Sequence, residues 1–251
     1  MCIRDRYSYL RKFGFGQSSG LEFPYESQGI LHELSQWDPS NLNTIALGHG
    51  ISVTPIQLVS AYSAIANDGI YVGPKLVSHI VDPEGNMKAL HGSPPREVLT
   101  ASTAHQVADL LTSVVDNGTG EKASVNGYKI AAKTGTSWKH FSQENSYELP
   151  NGQFDPYLDK NGQRHYTATV TGFFPAQKPE LSMIVIIDDP APIEEQFYAS
   201  HVAAPLFGKI AGWSLRHYQI SPFKEVQLSK SNEQASTEPT GELTLRTDEE
   251  S

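Results

Sequence analysis

The sequence has a single cysteine, Cys2, in 251 residues. Neither a disulfide framework nor a thiolate metal site is available to it. Long apolar runs are missing too, since none approaches the roughly eighteen residues of a membrane-crossing helix. There is no basic excess. Nineteen Lys and Arg stand against twenty-eight Asp and Glu, a formal net charge of −9. Without a basic stripe, nothing drives binding to nucleic acid or to an anionic membrane surface. The nine histidines are scattered without zinc-ligand spacing, and no H-E-x-x-H occurs, so neither metal nor cofactor is expected.

What remains is an ordinary globular composition, 38% hydrophobic and 19% charged, enough for one domain plus a tail. The opening "MCIRDRYSYL" is charged where a signal peptide would be apolar. Residues 1–6 match the translation of a transposon-end sequencing adapter and are expected to be foreign to the protein. Tyr7 then begins in mid-element without a capping signal, as expected of a C-terminal piece whose N-terminal part and targeting segment are missing. Residues 7–222 read as the domain. From Phe223 to Ser251 the chain is Ser, Glu, Lys and Thr with little that is apolar, which predicts a disordered acidic tail.

Within the domain, "TPIQLVSAYSAIANDG" predicts a helix. Thr54 is its N-cap, Pro55 its first position, Gln57 the partner in a capping box and Gly69 its stop. Leu58, Ala61, Tyr62, Ile65 and Ala66 would form its apolar face. A second helix is predicted over about 100–116, burying Val107, Leu110, Leu111, Val114 and Val115. Strands follow: "GYKIAAKTG", then Tyr166–Phe174 as a half-buried strand, then Glu180–Asp188 as a strand covered on both faces. The last two are joined by a short connection and should form an antiparallel hairpin. Between the first and second strands, Ser137–His165 reads as a polar loop with room for one small hairpin. A last helix, about 200–218, would bury Val202, Leu206, Ile210 and Trp213. Helices followed by antiparallel strands imply an α+β fold with helices packed on a sheet.

The chemistry-bearing stretch is "KIAAKTGTSW". Gly135 has no Cβ, so an extended peptide can approach the strand as an added strand. Lys133 supplies a cation, and Thr134 and Thr136, two apart, supply hydroxyls on one face. That set suits the carboxylate at the end of a peptide, and the Thr136 N–H suits an oxyanion. A strand end with a solvated lysine and a turn glycine is the plainer reading of the same four residues. K-T-G is one of the signatures of penicillin-binding proteins and class A β-lactamases, beside S-x-x-K and a second serine motif. No S-x-x-K stands upstream of Lys133, since Ser8-Tyr9-Leu10-Arg11 has the wrong fourth residue. Ser124-Val125-Asn126 spells S-x-N but lies too close to Lys133 to be its partner motif.

Other stretches carry less. Asp188 and Asp189 are adjacent on a strand and point to opposite faces, so a strand-ending turn is expected rather than an acid/base pair. "GTGEKAS" lacks the phosphate-loop spelling and follows a helix. Asn117-Gly118-Thr119 fits a glycosylation sequon, but a helix-ending turn is the expectation there. His49, between two glycines, reads as a loop-shaping position.

Over its length the chain resembles the class B penicillin-binding proteins. "LGHGISVTPIQLVSAYSAIANDGIYVGPKLV", "NGYKIAAKTGTSW", "YTATVTGFFPAQKPELSMIVIIDDP" and "HVAAPLFGKIAGWSLRHY" match that family in order, from about Tyr7 to Ile220. The division-type members look nearest. The resemblance implies the serine transpeptidase fold shared by β-lactamases and D,D-peptidases. It implies a D,D-transpeptidase that cross-links peptidoglycan stem peptides through a serine that β-lactams also acylate. Lys133, Thr134, Gly135 and Thr136 would bind the terminal carboxylate, with the Thr136 N–H in the oxyanion hole. By the same resemblance Phe197 and Tyr198, in the loop before the last helix, would lie at the active-site rim, against ordinary packing, and so would Tyr166, for which strand packing is the stronger reading. A membrane anchor, a periplasmic site of action, a separate glycosyltransferase partner and division or elongation proteins follow from the same resemblance. The nucleophile and its lysine base are not found, so the chain alone is expected to be inactive. A D,D-carboxypeptidase, a β-lactamase or a non-catalytic sensor on the same fold are the alternatives.

Overall fold

The computed structural model describes residues 3–37, 39, 41–89, 94–191 and 196–222. Met1 and Cys2, and the tail predicted from Phe223 onward, lie outside the described residues. The first half holds helices α1 (Ile3–Lys12), α2 (Asn41–Thr44), α3 (Pro55–Ala66) and α4 (Ala101–Asn117). Six short strands lie among them: β1 (Ile30–Leu31), β2 (Ile51–Ser52), β3 (Ile70–Tyr71), β4 (His79–Val81), β5 (Met87–Ala89) and β6 (Arg96–Glu97). The second half holds β7 (Ala131–Trp138), β8 (Ser146–Glu148), β9 (Phe154–Asp159), β10 (Tyr166–Phe174) and β11 (Leu181–Asp188), then α5 (Ala199–Val202) and α6 (Ala204–His217). The central sheet is antiparallel throughout, in the order β11–β10–β7, and β8 and β9 form the small hairpin in the loop after β7. The α+β expectation holds.

Helix α3 begins as its sequence dictates. Gln57 N–H donates to Thr54 Oγ1 at 3.2 Å, and Thr54 N–H donates back to Gln57 Oε1 at 3.0 Å. The Gln57 side chain is buried and its Nε2 also donates to the carbonyls of Gln17 (2.8 Å) and Gln28 (2.9 Å). One amide therefore caps a helix and fastens two turns of the preceding loop. The closely packed stripe of α3 is Gln57, Ser60, Ala61 and Ala64. Leu58, Tyr62, Ile65 and Ala66 of the predicted face are only half-buried.

Three further expectations change. On α4, Ala104, Leu111 and Val115 are buried while Leu110 is 68% exposed. Leu111 packs on Ala131 and Phe173, and its neighbour, about 100° further round the helix, points away from the sheet. On the last helix the buried face is one residue off. Phe207, Gly208, Ala211, Gly212 and Leu215 are buried, while Leu206, Ile210 and Trp213 are exposed. The helix carries two apolar stripes, and the one with small residues wins because it permits close approach. A Cβ on Gly208 would meet Lys122 O at 3.1 Å. The chain also breaks at Ala203, so α5 and α6 are separate, with Val202 buried as expected.

The two hairpin strands exchange roles. Tyr166–Phe174, predicted half-buried, is the central strand, and Val170 to Phe174 are all buried. The nearly continuous apolar run of β11, predicted to be covered on both faces, forms an edge and is mostly half-buried. Gly172 explains part of this. A Cβ there would lie 2.6 Å from Ala132 Cβ and closer still to Ala131 O, so its absence lets β7 close on β10. One core joins the sheet to the C-terminal helices through Ile130, Ala132, Val170, Phe174, Phe207 and Leu215. Each large apolar side chain buried there contributes about 1.5–3 kcal/mol.

Replacing Gln57 by Leu removes donors from two loop carbonyls and should lower stability by about 2–4 kcal/mol. Thr54→Ala, which removes only the cap, should cost about 1 kcal/mol. Equal losses in denaturant unfolding would show that the Gln57 side chain does no more than cap the helix.

Candidate active site

Strand β7 is bonded to β10 along one side only. Its other edge is open among the described residues, and the Lys133–Thr136 motif lies on that edge. Side chains alternate along it. Ala131 packs toward Leu111 of α4, and Ala132 packs toward the C-terminal helices. Lys133 and Gly135 therefore leave the face of Ala131, and Thr134 and Thr136 leave the face of Ala132.

Cation and hydroxyls thus start on opposite faces and meet only at the edge. Lys133 reaches it by folding back, its Nζ donating to Thr134 O at 2.8 Å. That carbonyl must then face the open edge. Residues two apart in an antiparallel ladder present their backbone groups to the same side, so the Thr136 N–H faces it as well. A Cβ built on Gly135 would meet nothing within 4 Å, which leaves the approach to the strand clear.

Both hydroxyls are already engaged from behind. Ala199 N–H, in the first turn of α5, donates to Thr136 Oγ1 at 3.0 Å. Thr119 Oγ1, in the turn after α4, lies 2.6 Å from Thr134 Oγ1. Sequence reading assigned no role to Thr119 or to the Ala199 N–H. Both contacts span long sequence separations, and no local pattern encodes them. Asn117-Gly118-Thr119 does end a helix, as expected.

The charges are distributed unevenly. Lys129 pairs with Asp116 at 2.8 Å and Lys139 with Asp188 at 2.6 Å, whereas Lys133, between them in sequence, makes no ion pair among the described residues. Asp188 also accepts from Thr167 Oγ1 at 3.0 Å; the Lys139 ammonium, then that hydroxyl, hold its carboxyl below the usual range. Asp189 turns instead to His165 at 2.7 Å. The two aspartates therefore serve different partners, as the expected strand-ending turn requires. Directly across from Lys133, Thr171 has the one buried side-chain oxygen without a hydrogen-bond partner among the described residues.

The rim candidates come together. Phe197 stacks on Tyr166 with ring centroids 3.8 Å apart, and Tyr198 lies against Phe197 at 4.8 Å. Tyr198 immediately precedes Ala199, so this aromatic wall flanks the Thr136 face. Beyond the motif, Trp138 is covered by the Arg164 guanidinium at 3.8 Å and meets the rings of His49 and Tyr157, each at 5.6 Å. His49 thus pins its loop to the end of β7. Two hollows, one of about 540 Å³ beside Ser142, Glu144 and Phe154 and one of about 450 Å³ between α3 and the start of β11, are lined by no motif residue. The site is an open strand edge rather than a cavity.

One S-x-x-K spelling escapes an upstream search: Ser221-Pro222-Phe223-Lys224. Lys224 lies outside the described residues. Ser221 follows Ile220, whose carbonyl accepts from Tyr128 Oη at 2.7 Å, and Pro222 lies beside Gly127. Both contacts precede β7, beyond the end of the strand that is farther from Thr136. Among the described residues no cluster of His, Cys, Asp and Glu could hold a metal, and no helix is long and apolar enough to cross a membrane.

An antiparallel sheet flanked by helices, with K-T-G-T along an open edge strand, defines the class of penicillin-recognising serine acyl-transfer folds. Residues 1–212 match the model of the penicillin-binding protein transpeptidase domain. The chain is 33% identical to penicillin-binding protein PbpB of Mycobacterium tuberculosis over 85% of its own length and 30% of that protein's. It is 34% identical to stage V sporulation protein D of Bacillus subtilis, over 87% of the chain and 31% of the relative. A crystal structure of penicillin-binding protein 3 from Mycobacterium tuberculosis complexed with aztreonam superposes with a TM-score of 0.73 at 32% identity, covering 88% of this chain and 48% of that one. The chain belongs to the penicillin-binding protein transpeptidase family. It spans less than a third of the length of these two curated relatives.

His165 gives this region a pH dependence. Its ring bridges Asp189 (2.7 Å) and Asp159 at the end of β9 (3.3 Å) and lies beside the Phe141 ring, while its backbone carbonyl accepts from the Lys139 N–H at 2.9 Å. The Asp189 carboxylate chiefly, then Asp159, raises the imidazole pKa against partial desolvation. Backbone N–H groups, foremost that of Gln163, lower the pKa of Asp159. The clasp is complete below the ordinary histidine pKa and is lost as pH rises through the raised one. It is lost again as Asp159 protonates in acid. Amide exchange in 146–159, corrected for intrinsic rate, should therefore be slower at pH 6 than at pH 9. His165→Gln should abolish that difference; a difference that persists in the variant would assign the effect to other groups.

Proposed function

We propose that this chain supplies the carboxylate-recognition edge of a peptidoglycan D,D-transpeptidase domain. The observation that carries the reading is the open edge of β7. A stem peptide ending in D-Ala-D-Ala adds to it as an extended strand, with its backbone over Gly135. Its terminal carboxylate is met by Lys133, Thr134 and Thr136, and the scissile carbonyl oxygen by the Thr136 N–H. Tyr166, Phe197 and Tyr198 wall one side. The cationic Lys133, which has no acidic partner among the described residues, favours an anionic end group over an amide.

Acyl transfer also needs an activated nucleophile. No Ser-x-x-Lys stands upstream of Lys133, so the chain by itself binds without being acylated. In the complete protein the serine attacks the D-Ala-D-Ala carbonyl, D-Ala leaves, and an amine of a second stem peptide resolves the acyl-enzyme. β-Lactams enter at the same edge, in keeping with the aztreonam bound to the related tuberculosis protein. Action on peptidoglycan places the protein outside the plasma membrane, beside a glycosyltransferase and the division or elongation machinery. A D,D-carboxypeptidase, β-lactamase or sensor would use the same edge, and the amine-to-water partition of the acyl group distinguishes the first two from a transpeptidase.

Expressed from its complete gene, the Lys133→Ala protein should be acylated by labelled penicillin about ten- to a hundred-fold more slowly, the effect of losing a hydrogen bond to a charged group. Gly135→Val should obstruct acylation more than ten-fold while leaving the melting temperature nearly unchanged, because its side chain projects into open space and not into the core. Unchanged acylation in both variants would remove the carboxylate edge as the binding site.

A further inference from the structure

The turn after α4 has a geometry that a simple helix stop does not require. Gly118 and Gly120 both press on the last turn of the helix. Added Cβ atoms would come within 2.9 and 3.1 Å of Val114 O. Gly120 N–H donates to that carbonyl at 3.0 Å, and Glu121 N–H donates to Gly118 O at 3.2 Å. Thr119 is therefore held on a backbone that two glycines let pack tightly against the end of the helix. Its hydroxyl meets Thr134 Oγ1 at 2.6 Å, at the short end of the range for such bonds.

A hydroxyl has one proton and two lone pairs. Toward a carboxylate, which only accepts, Thr134 is useful only if its own proton is free to donate. Thr136 meets this condition because its oxygen accepts from Ala199 N–H. Thr134 meets it only if Thr119 donates to it rather than accepts from it. The two motif hydroxyls then form matched relays, each accepting from behind and donating forward, and each bond polarises the next.

We propose that Thr119 is a positioning residue of the carboxylate edge: its O–H donates to Thr134 Oγ1 and directs the Thr134 proton at the ligand carboxylate. This rests on the reading of the Lys133–Thr136 edge given above. No bond is made or broken; the anion selects one of two directions of an existing hydrogen bond.

The test measures the second-order rate of acylation by benzylpenicillin, which bears a carboxylate, in protein expressed from its complete gene. Thr119→Val, close in shape but without the hydroxyl, should slow acylation about five-fold, the loss of one neutral hydrogen bond. Thr119→Ser should restore the parental rate. In a Thr134→Val background, Thr119→Val should have no further effect, because the hydroxyl it orients is gone. If Thr119→Val does not fold, Thr119→Ala carries the same comparison. A parental rate for Thr119→Val, or the same loss in the Thr134→Val background, would overturn the proposal, the second by assigning Thr119 a structural role. Lys133→Ala separates the two readings. If it slows acylation while Thr119→Val does not, only the Thr119 proposal falls; if it too leaves the rate unchanged, the carboxylate edge falls and the proposal with it.

Discussion

The structure depends on one strand edge being left unpaired. An edge strand with free N–H and C=O groups attracts other chains, and proteins usually blunt it with charge, bulges or cover. Here the open edge of β7 carries Lys133 as its only charged side chain between Ala131 and Trp138. The strand must be held in place by everything except that edge. Gly172 lets β10 approach closely on the other side, Leu111 of α4 packs beneath Ala131, and the Thr136 hydroxyl is tied to α5. Aromatic contacts at Trp138 fasten its far end to the β8–β9 hairpin. The edge stays available because the bonds that hold β7 are made elsewhere.

How far this was legible in the sequence follows from the range of each interaction. The start of α3 was readable residue by residue, because Thr54, Pro55 and Gln57 act on each other within one turn. The α+β class and the antiparallel hairpin were readable from order and spacing. Which face of a helix is buried was less so. Leu206, Ile210 and Trp213 form as good an apolar stripe as Phe207, Ala211 and Leu215. Only the close approach of Gly208 to the backbone at Lys122, a contact between distant segments, selects the second. The strands β10 and β11 were misassigned for a related reason. Hydrophobicity suggests covering, but position in a sheet is set by which strands pair, and β7 takes the side of β10 that Gly172 opens.

The motif shows the same limit. Lys133 to Thr136 could be found by spelling, and spelling supplies the groups on which the proposed carboxylate edge is built. It does not reveal that the ammonium must travel round the edge to meet the hydroxyls. Nor does it reveal that both hydroxyls are engaged by residues 15 and 63 positions away. Those contacts matter chemically, since a hydroxyl that accepts from the protein keeps its proton for a ligand, whereas one that donates to the protein has spent it.

The proposed binding of an anion by an acidic chain poses an electrostatic problem, and the pairing of its charges addresses it. With a net charge of −9, long-range forces disfavour a carboxylate ligand, but screening confines that penalty to about 8–10 Å at physiological salt. Within that radius local arrangement decides. The acids that flank β7 have partners of their own: Asp116 has Lys129, Asp188 has Lys139, and Asp189 and Asp159 share the His165 ring, which is a cation when protonated. Among the described residues Lys133 is bonded to a neutral carbonyl and pairs with no acid, which leaves its charge unspent. Binding an anion there exchanges a lysine–carbonyl bond for a charge-assisted one, which is about twice as strong. Selectivity for a terminal carboxylate therefore needs no overall positive surface, only one lysine on a free edge and neighbouring acids already satisfied.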